Sequence, residues 1–442
     1  MTRAARIAGV SIVIAAMGVA AACAKEEAAK PTNDRLCTAG AFVYCRCEDR
    51  EEGTKRCRDD QRSFEDCRCD GTNPPPTEGD GGVTGPLEPV DAGPPPPGAP
   101  KLDPKCVGKV GVVAGSKDDS LAYVAAYTGN GAFNVSKSTG PGVRGPVSVL
   151  PAYGSLVATY ATRYLLVAWA KMSALTWSAP VSVGNATTRG ATAATLFSGD
   201  VRLFYPSTDG PYRMGTYKIS GWDDATTLVG PTDAGAPVPG ASAPAAAAQG
   251  ATMVVAFTGD EGSLAREVFS SGAWTLSKQA SSAYNVPPAL VALEGTGTKD
   301  LLMIFVGQDL LLHAMTRDAA TKTWGTPTVV DNAAQAIEIS LVSLPNGGAL
   351  LAFLGSNDTA YFSTWDATKG FAPPREMLPG KNPQLASVPG LVRGACDGDV
   401  IVAYAEKAGG VKLLTLIGAD THGPYDVPGI PAVTWAAAGE LP

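Results

Sequence analysis

The sequence predicts an all-β protein whose main domain, residues 105–442, is a β-propeller of seven blades. An apolar strand that ends in an aromatic residue recurs seven times in this region, and a second landmark follows each strand after 16 to 21 residues. Gly (51) and Pro (35) are abundant, while charged residues make up only 17% of the chain. This composition is typical of many turns between short strands. Units of about 40 to 50 residues with four antiparallel strands are typical of propeller blades.

The two landmarks divide the domain into its predicted blades. The first landmark ends at Tyr127, Tyr160, Tyr205, Phe257, Phe305, Phe353 and Tyr404. The second begins at Val143, Trp177, Trp222, Trp274, Trp324, Phe371 and Tyr425. One unit, residues 337–378, separates into four strands at the turns NGG, SND and TKG. Only 33 residues separate Tyr127 from Tyr160, whereas the other intervals are 45 to 52 residues, so a ring of six blades is the alternative.

The chain begins with residues 1–22, which have the pattern of a secretory signal peptide. Two arginines precede an apolar run, and three alanines stand directly before Cys23. These are the features that a signal peptidase recognises. The segment resembles the lipobox of bacterial lipoproteins, although Ala20 stands where that family usually has Leu. The resemblance implies a diacylglycerol on the Cys23 thiol; cleavage after Ala22 without lipid and an uncleaved anchor are the alternatives.

A lipid on Cys23 would place the protein in the cell envelope, with residues 23–36 as a tether. Ala24 stands where many such lipoproteins have the Asp that retains them in the inner membrane. The resemblance therefore implies the outer membrane. The net charge of −7 and the absence of a basic cluster in the sequence argue against nucleic acid as a partner.

Residues 37–69 form a predicted cysteine-rich module. Its six cysteines are Cys37, Cys45, Cys47, Cys57, Cys67 and Cys69. A segment this short cannot bury a sufficient core, so three disulfides are expected, with fifteen possible pairings. Zinc bound through the two C-x-C steps is the alternative. The segment resembles small six-cysteine modules behind the leader of surface lipoproteins from predatory and soil bacteria.

A Pro- and Gly-rich segment, residues 70–104, follows the module. Proline fixes φ and removes a hydrogen-bond donor, so this segment is predicted to be a disordered, extended and solvated linker. Beyond it, the two remaining cysteines are Cys106 and Cys396. A disulfide between them would join the first and last blades, which are otherwise open edges. The alternative is two separate buried thiols, because the predicted strands put these cysteines at opposite ends of neighbouring inner strands.

The unit from Leu203 to Trp222 resembles a blade of the sialidase and fucose-lectin type of propeller. Sialidases carry S-x-D-x-G-x-T-W boxes, of which the segment starting at Ser356 keeps only the Ser and the Asp. An F-R-I-P element is absent from the sequence, as are G-x-S-x-G and H-E-x-x-H motifs. His313 is expected to be a hydrogen-bonded histidine between blades. No catalytic residue and no metal site are assigned.

The turns between second and third strands carry acids or amides in most units. These residues are Asn130, Asp209, Asp260, Glu261, Asp309, Asn357 and Asp358. They are expected on one face, where they would hydrogen-bond sugar hydroxyls or coordinate calcium. Tyr212, Arg213 and Arg266 would add stacking and charge. The alternative is that these acids and amides only form turns.

The sequence therefore favours a lipid-anchored surface protein that binds glycans or other surface proteins through one face of a propeller. A propeller glycoside hydrolase or lyase is the first alternative, and it requires two carboxylates about 5 to 10 Å apart. Its candidate carboxylates are Asp209, Asp260, Glu261 and Asp309. The second alternative is a protein-interaction scaffold without a small ligand.

Overall fold

The computed structural model divides into two compact units, residues 1–76 and 77–442. It describes residues 42–46, 52–56, 58–60, 63, 65, 87–90, 101–115, 121–138, 147–162, 166–173, 175–208, 211–218, 221–223, 227–228, 242–258, 264–279, 286–295, 297–331, 333, 335–380, 383–393, 396, 400–407, 409–417, 420–431 and 433–440. Cys23 and the module cysteines Cys37, Cys47, Cys57, Cys67 and Cys69 lie outside these residues, so lipidation and disulfide pairing in the module stay predictions. Among the described residues of the first unit, β1 (Phe42–Arg46) pairs antiparallel with β2 (Glu52–Arg56).

The second unit consists of seven antiparallel sheets, here numbered as blades 1 to 7 and described from the innermost strand outwards. Blade 1 contains β34 (Trp435–Glu440), β4 (Val110–Gly115), β5 (Ala122–Gly129), β6 (Ala132–Ser138) and β3 (Leu87–Pro89). Blade 2 contains β7 (Ser148–Ala152), β8 (Ser155–Ala161) and β9 (Leu166–Ser173), with β10 (Thr176–Trp177) and β11 (Val181–Thr187) both paired to β9. Blade 3 contains β12 (Ala193–Phe197), β13 (Asp200–Pro206) and β14 (Tyr212–Lys218), with β15 (Gly221–Trp222) and β16 (Thr227–Leu228) paired to β14.

The other four blades follow the same order. Blade 4 contains β17 (Ala245–Gln249), β18 (Thr252–Thr258), β19 (Leu264–Ser270) and β20 (Ala273–Gln279). Blade 5 contains β21 (Ala289–Ala292), β22 (Lys299–Val306), β23 (Leu312–Asp318) and β24 (Thr328–Val329). Blade 6 contains β25 (Ala336–Ser343), β26 (Ala349–Gly355) and β27 (Ala360–Asp366), with β28 (Gly370–Phe371) and β29 (Arg375–Glu376) paired to β27. Blade 7 contains β30 (Gly390–Arg393), β31 (Val400–Ala405), β32 (Val411–Ile417) and β33 (Asp420–Val427). Two short 3-10 helices, Pro104–Cys106 and Pro345–Gly347, complete the described elements.

The innermost strands close into a ring around a central channel. Contacts run in the order β34, β7, β12, β17, β21, β25, β30 and back to β34. This ring confirms the predicted all-β propeller with seven blades, and the six-bladed alternative is wrong.

The irregular spacing after Tyr127 has a topological cause. The innermost strand of blade 1 is β34, from the C-terminal end of the described chain, so the N-terminal part of the domain starts with a second strand. Tyr127 therefore lies on the third strand of its blade, whereas Tyr160 lies on a second strand. The second strands of blades 1 to 7 start at residues 110, 155, 200, 252, 299, 349 and 400, which are regular intervals of 45 to 52 residues.

Small residues let the closing strand fit between its neighbours. β34 pairs antiparallel with β4, and Gly439 lies opposite Gly111. A Cβ atom on Gly111 would lie 2.8 Å from Leu156 Cδ2 in blade 2, and one on Gly439 would lie 2.7 Å from the same atom. Real Cβ contacts are longer than this, so both positions need glycine if Leu156 is to pack against them.

A disulfide adds a covalent link to this closure. Cys106 and Cys396 are buried and bonded, with their Cα atoms 4.7 Å apart. The prediction of this bond is confirmed, but the predicted obstacle to it is wrong. Cys106 precedes β4, a second strand, and therefore lies on the same side of the ring as Cys396, which follows the inner strand β30.

The core lies between the blades, where second strands are enclosed on both faces. All residues of β8 and β26 are buried, whereas the channel-lining β25 is mostly half-buried. Blade 5 also buries an ion pair. Arg317 donates two hydrogen bonds of 2.9 Å to the two carboxylate oxygens of Asp300, and Lys322 Nζ lies 2.8 Å from the same group.

Part of the predicted linker belongs to blade 1. β3 pairs with β6, and Val90 N donates a hydrogen bond to Val135 O. Leu102 is buried in the first blade's core, and its carbonyl accepts a hydrogen bond from Tyr127 Oη. Residues 87–90 and 102 are therefore packed against the propeller, in contrast to the solvated chain predicted up to residue 104.

Candidate functional site

One face of the ring carries the turns between second and third strands together with the connections between blades. We call it the connection face; its described parts include residues 306–312, 354–360, 405–407 and 409–411, and residues 330–331, 333, 335 and 383–389 of the connections. Backbone hydrogen bonds join turns to connections, among them Ser356 N to Gln335 O (2.9 Å), Lys407 N to Gln384 O (2.9 Å), Leu385 N to Asp358 O (3.3 Å) and Thr434 N to Gly115 O (3.0 Å). The predicted arrangement of turns and connections on one face is therefore present.

The turns of the connection face have one length in blades 2 to 7. In each of these blades the aromatic residue of the second strand pairs with the residue eight positions later on the third strand. The pairs are Tyr160 with Ala168, Tyr205 with Arg213, Phe257 with Ala265, Phe305 with His313, Phe353 with Tyr361 and Tyr404 with Lys412. Equal turn length gives the blades equivalent positions, so side-chain differences at these positions decide what each blade presents.

In blade 5 the turn brings an acid and an imidazole together. His313 Nε2 lies 3.0 Å from both carboxylate oxygens of Asp309, and its ring stacks on Phe305 with centroids 5.4 Å apart. The hydrogen bond from His313 is the main reason why the pKa of Asp309 is lowered. Gly307 leaves room for this pair, because a Cβ there would lie 2.6 Å from His313 Nε2. His313 is thus hydrogen-bonded as predicted, but the acid and the ring that it contacts both belong to blade 5, whereas the sequence analysis expected it between blades.

Blade 6 repeats this arrangement with neutral groups. Asn357 Nδ2 donates a 3.1 Å hydrogen bond to Tyr361 Oη, and Tyr361 stacks on Phe353 with centroids 5.2 Å apart. The neighbouring Asp358 accepts a 2.6 Å hydrogen bond from Lys407 Nζ in the turn of blade 7. Blades 5 and 6 therefore present an oriented acid or amide beside a polar ring.

Among the remaining candidates, Asp209, Asp260 and Glu261 lie outside the described residues. Tyr212 is 1% exposed, packs against the tilted ring of Phe257 and donates a hydrogen bond to Ser242 O. Asn130 follows the third strand β5 and therefore lies on the opposite face.

Two arginines were also candidates. Arg213 is half-buried at the start of β14, opposite Tyr205. Arg266 is only 6% exposed and lies between blades 4 and 5, where it contacts Met315 and stands 5.3 Å from the centroid of the Trp324 ring. Burial lowers the pKa of Arg266. The structure thus places Arg266 in the core between blades 4 and 5.

The described residues contain no cluster of three or more His, Cys, Asp or Glu side chains that could hold a metal ion. In the same part of the chain, no helix is long and apolar enough to cross a membrane.

The structure adds a feature that the sequence analysis missed, a cavity of about 490 Å³ at the mouth of the channel. We call it the channel-mouth cavity; its walls come from Glu338–Ser340 of β25, residues 386–390 before and in β30, Thr434 with the first three residues of β34 (435–437), and Val147. These segments lie where inner strands begin, so the cavity opens on the connection face. Glu338 is the one charged residue in the strand AIEISLVS, whose other residues are apolar or carry a hydroxyl group. This isolated charge is the sequence signal that could have marked Glu338 as a candidate site residue.

Glu338 is held in place by the backbone of the next blade. Its Oε2 accepts a 2.6 Å hydrogen bond from Val388 N. Burial raises the pKa of Glu338, and the hydrogen bond from Val388 opposes this rise. Trp435 lies in the same wall, is 5% exposed, and its Nε1 has no hydrogen-bond partner among the described residues.

Comparison with known proteins finds similarity only at the level of structure. No protein-family model matches the chain, and no curated protein matches it. The BP39L lectin from Burkholderia pseudomallei is 14% identical with a TM-score of 0.57, over 74% of this chain and 98% of that lectin. AofleA from Arthrobotrys oligospora is 14% identical with a TM-score of 0.50, over 67% of this chain and 90% of that protein. A fucose-specific lectin from Aleuria aurantia is 14% identical with a TM-score of 0.46, over 65% and 96% respectively. The chain thus shares a β-propeller fold with solved lectin structures.

Proposed function

We propose that the protein binds carbohydrate through the connection face of its propeller. The observation that carries this proposal is the constant turn length, which puts an acid or amide beside a polar ring at equivalent positions of blades 5 and 6. The similarity of the fold to BP39L, a protein described as a lectin, supports it.

The chemistry of these turns suits sugar hydroxyls. A carboxylate already oriented by one donor keeps further lone pairs for hydroxyl donors. Asp309 is oriented by His313 and Asp358 by Lys407, and both carboxylates remain partly exposed, at 48% and 33%. Orienting the acceptors before the ligand arrives reduces the entropy that binding costs. Equivalent positions on several blades would let a branched glycan engage more than one site.

The proposal includes display at a cell surface through a lipid on Cys23. The leader pattern supports this part. Metabolic labelling with an alkyne-tagged fatty acid is expected to mark the wild-type chain and not Cys23→Ser; equal labelling of both would remove the anchor from the proposal.

A glycan array probed with the full chain, once with calcium and once with chelator, tests the binding function. Asp309→Ala and Asp358→Ala are expected to weaken the strongest signal at least tenfold. Asp420→Ala is the matched control, because Asp420 is exposed and lies at the end of blade 7 away from the connection face. A signal that survives both turn substitutions would contradict the proposed site, and an array without any signal would contradict the function.

A further inference from the structure

We infer that the channel-mouth cavity is a second binding site, which accepts a small organic ammonium ion with an apolar body. This site is separate from the turn acids and involves the inner strands of blades 6, 7 and 1. Its volume of about 490 Å³ lies within the range of roughly 300 to 1,000 Å³ that is usual for small-molecule sites.

The charge of the cavity comes from a single residue. Glu338 is the only ionisable side chain among the lining residues, and its hydrogen bond from Val388 N is its one polar contact among the described residues. A partly buried carboxylate without a cation is costly, because the protein interior solvates charge poorly. An ammonium group that enters the cavity would supply the missing opposite charge, and the attraction is stronger there than in water.

The remaining walls favour an apolar body on the ligand. Ile339, Val388, Pro389 and Trp435 lie in the lining, together with small alanines of β34. Burying apolar ligand surface against such side chains contributes about 25 cal/mol per Å². Neutral sugars and anions match this combination of one carboxylate and apolar walls less well. The cavity is therefore expected to prefer a different class of ligand from that of the proposed glycan site.

Contacts between neighbouring blades position the groups that line the cavity. Glu338 is fixed from blade 7 by Val388 N, and the segment beside it is fixed to blade 1 because Gly390 packs against Ala437, with a hypothetical Cβ only 2.9 Å from the Ala437 Cα. The binding groups therefore come from three blades that are locked together at the ring closure.

Isothermal titration of the full chain with benzylammonium, compared with benzyl alcohol, tests the inference. The two probes have similar size, and only the first carries a positive charge at neutral pH. We expect benzylammonium to bind at least tenfold more tightly to the wild-type chain than benzyl alcohol does. Absent binding, or equal binding of both probes, would overturn the inference without any variant.

Two matched substitutions locate the binding. Glu338→Gln keeps an acceptor for Val388 N but removes the charge, and it is expected to weaken benzylammonium binding at least tenfold. Glu376→Gln, in the outer strand β29 of the same blade, is expected to change nothing. The glycan-array signal is expected to be the same in Glu338→Gln and wild type. Equal benzylammonium binding by Glu338→Gln and wild type would overturn the assignment to this cavity.

Discussion

Removal of the Cys106–Cys396 disulfide is expected to lower the free energy of unfolding of the propeller by several kcal/mol. The bond joins residues 290 positions apart. In the chain-entropy model, closing a loop of this length removes entropy from the unfolded chain worth about 5.7 kcal/mol at 25 °C. Residual structure in the unfolded state reduces the effect, so we expect a loss of about 3 to 5 kcal/mol.

The folded ring itself should survive this change. β34 still pairs with β4 over six residue pairs, and the apolar cluster between blades 7 and 1 that contains both cysteines is formed mainly by strand residues such as Val112 and Ile401. Substitution is preferable to a reducing agent, because reductant would also act on the cysteines predicted to be paired in residues 37–69. The assay is equilibrium unfolding in guanidinium chloride, followed by tryptophan emission.

A double-mutant cycle isolates the contribution of the bond. Cys106→Ser, Cys396→Ser and the double substitution each break the same link, so the three variants should lose nearly the same free energy. The reasoning that this bond constrains the unfolded chain would be refuted if the double variant lost as much free energy of unfolding as the two single variants together. It would also be refuted if the double variant were within about 1 kcal/mol of wild type.

Three further predictions concern packing and charge. Asp300→Ala is expected to lower the free energy of unfolding by about 3 to 5 kcal/mol, because it leaves Arg317, which is 1% exposed, buried without its carboxylate. A decrease below about 1 kcal/mol in denaturant unfolding would contradict the stabilising role of this buried pair. Gly439→Ala is expected to lower the free energy of unfolding by about 1 to 3 kcal/mol, because the added methyl group would overpack against Leu156. Gly190→Ala is the control and should be nearly neutral, because its Cβ would meet Pro206 Cγ at an ordinary 3.6 Å. Equal unfolding midpoints for the two variants would contradict the predicted overpacking. Backbone N–H groups of Thr321 and Ala320 and the Thr321 hydroxyl lower the pKa of Asp318 to about 2. Because this folded-state pKa lies below the unfolded value, the contribution of Asp318 is present above about pH 4 and is lost as the pH falls towards 2. Unfolding midpoints between pH 5 and pH 2 should therefore fall less steeply for Asp318→Asn than for wild type.

The turn acids show how far local sequence patterns can lead to a site. The spacing from Phe305 to His313 and from Phe353 to Tyr361 is visible in the sequence, and so is the acid or amide halfway between. That each acid or amide contacts the residue four positions later follows from a tight turn between paired strands. The link from Asp358 to Lys407 could not be predicted in this way, because it joins the turns of two blades.

Glu338 illustrates the opposite case. One acid in an apolar strand indicates a polar environment, but the sequence does not say which one. The cavity is formed where the inner strands of the neighbouring blades 6, 7 and 1 begin, on the connection face of the ring. The position of Arg266 between blades 4 and 5 could not be predicted from the sequence either, because it depends on how two sheets pack.

The amino-acid sequence was enough to predict the fold class and the repeat, and it favoured seven blades and a bond between the cysteines of the first and last blades. These features depend on local strand and turn chemistry, which each unit repeats. The three-dimensional structure was needed to show that β34 supplies the innermost strand of blade 1, that Cys106 and Cys396 lie on the same side, and that a carboxylate lies at the channel mouth. These features depend on contacts such as the pairing of Trp435 with Gly115, and a contact between residues so distant in the chain leaves no periodic trace in the sequence around either of them.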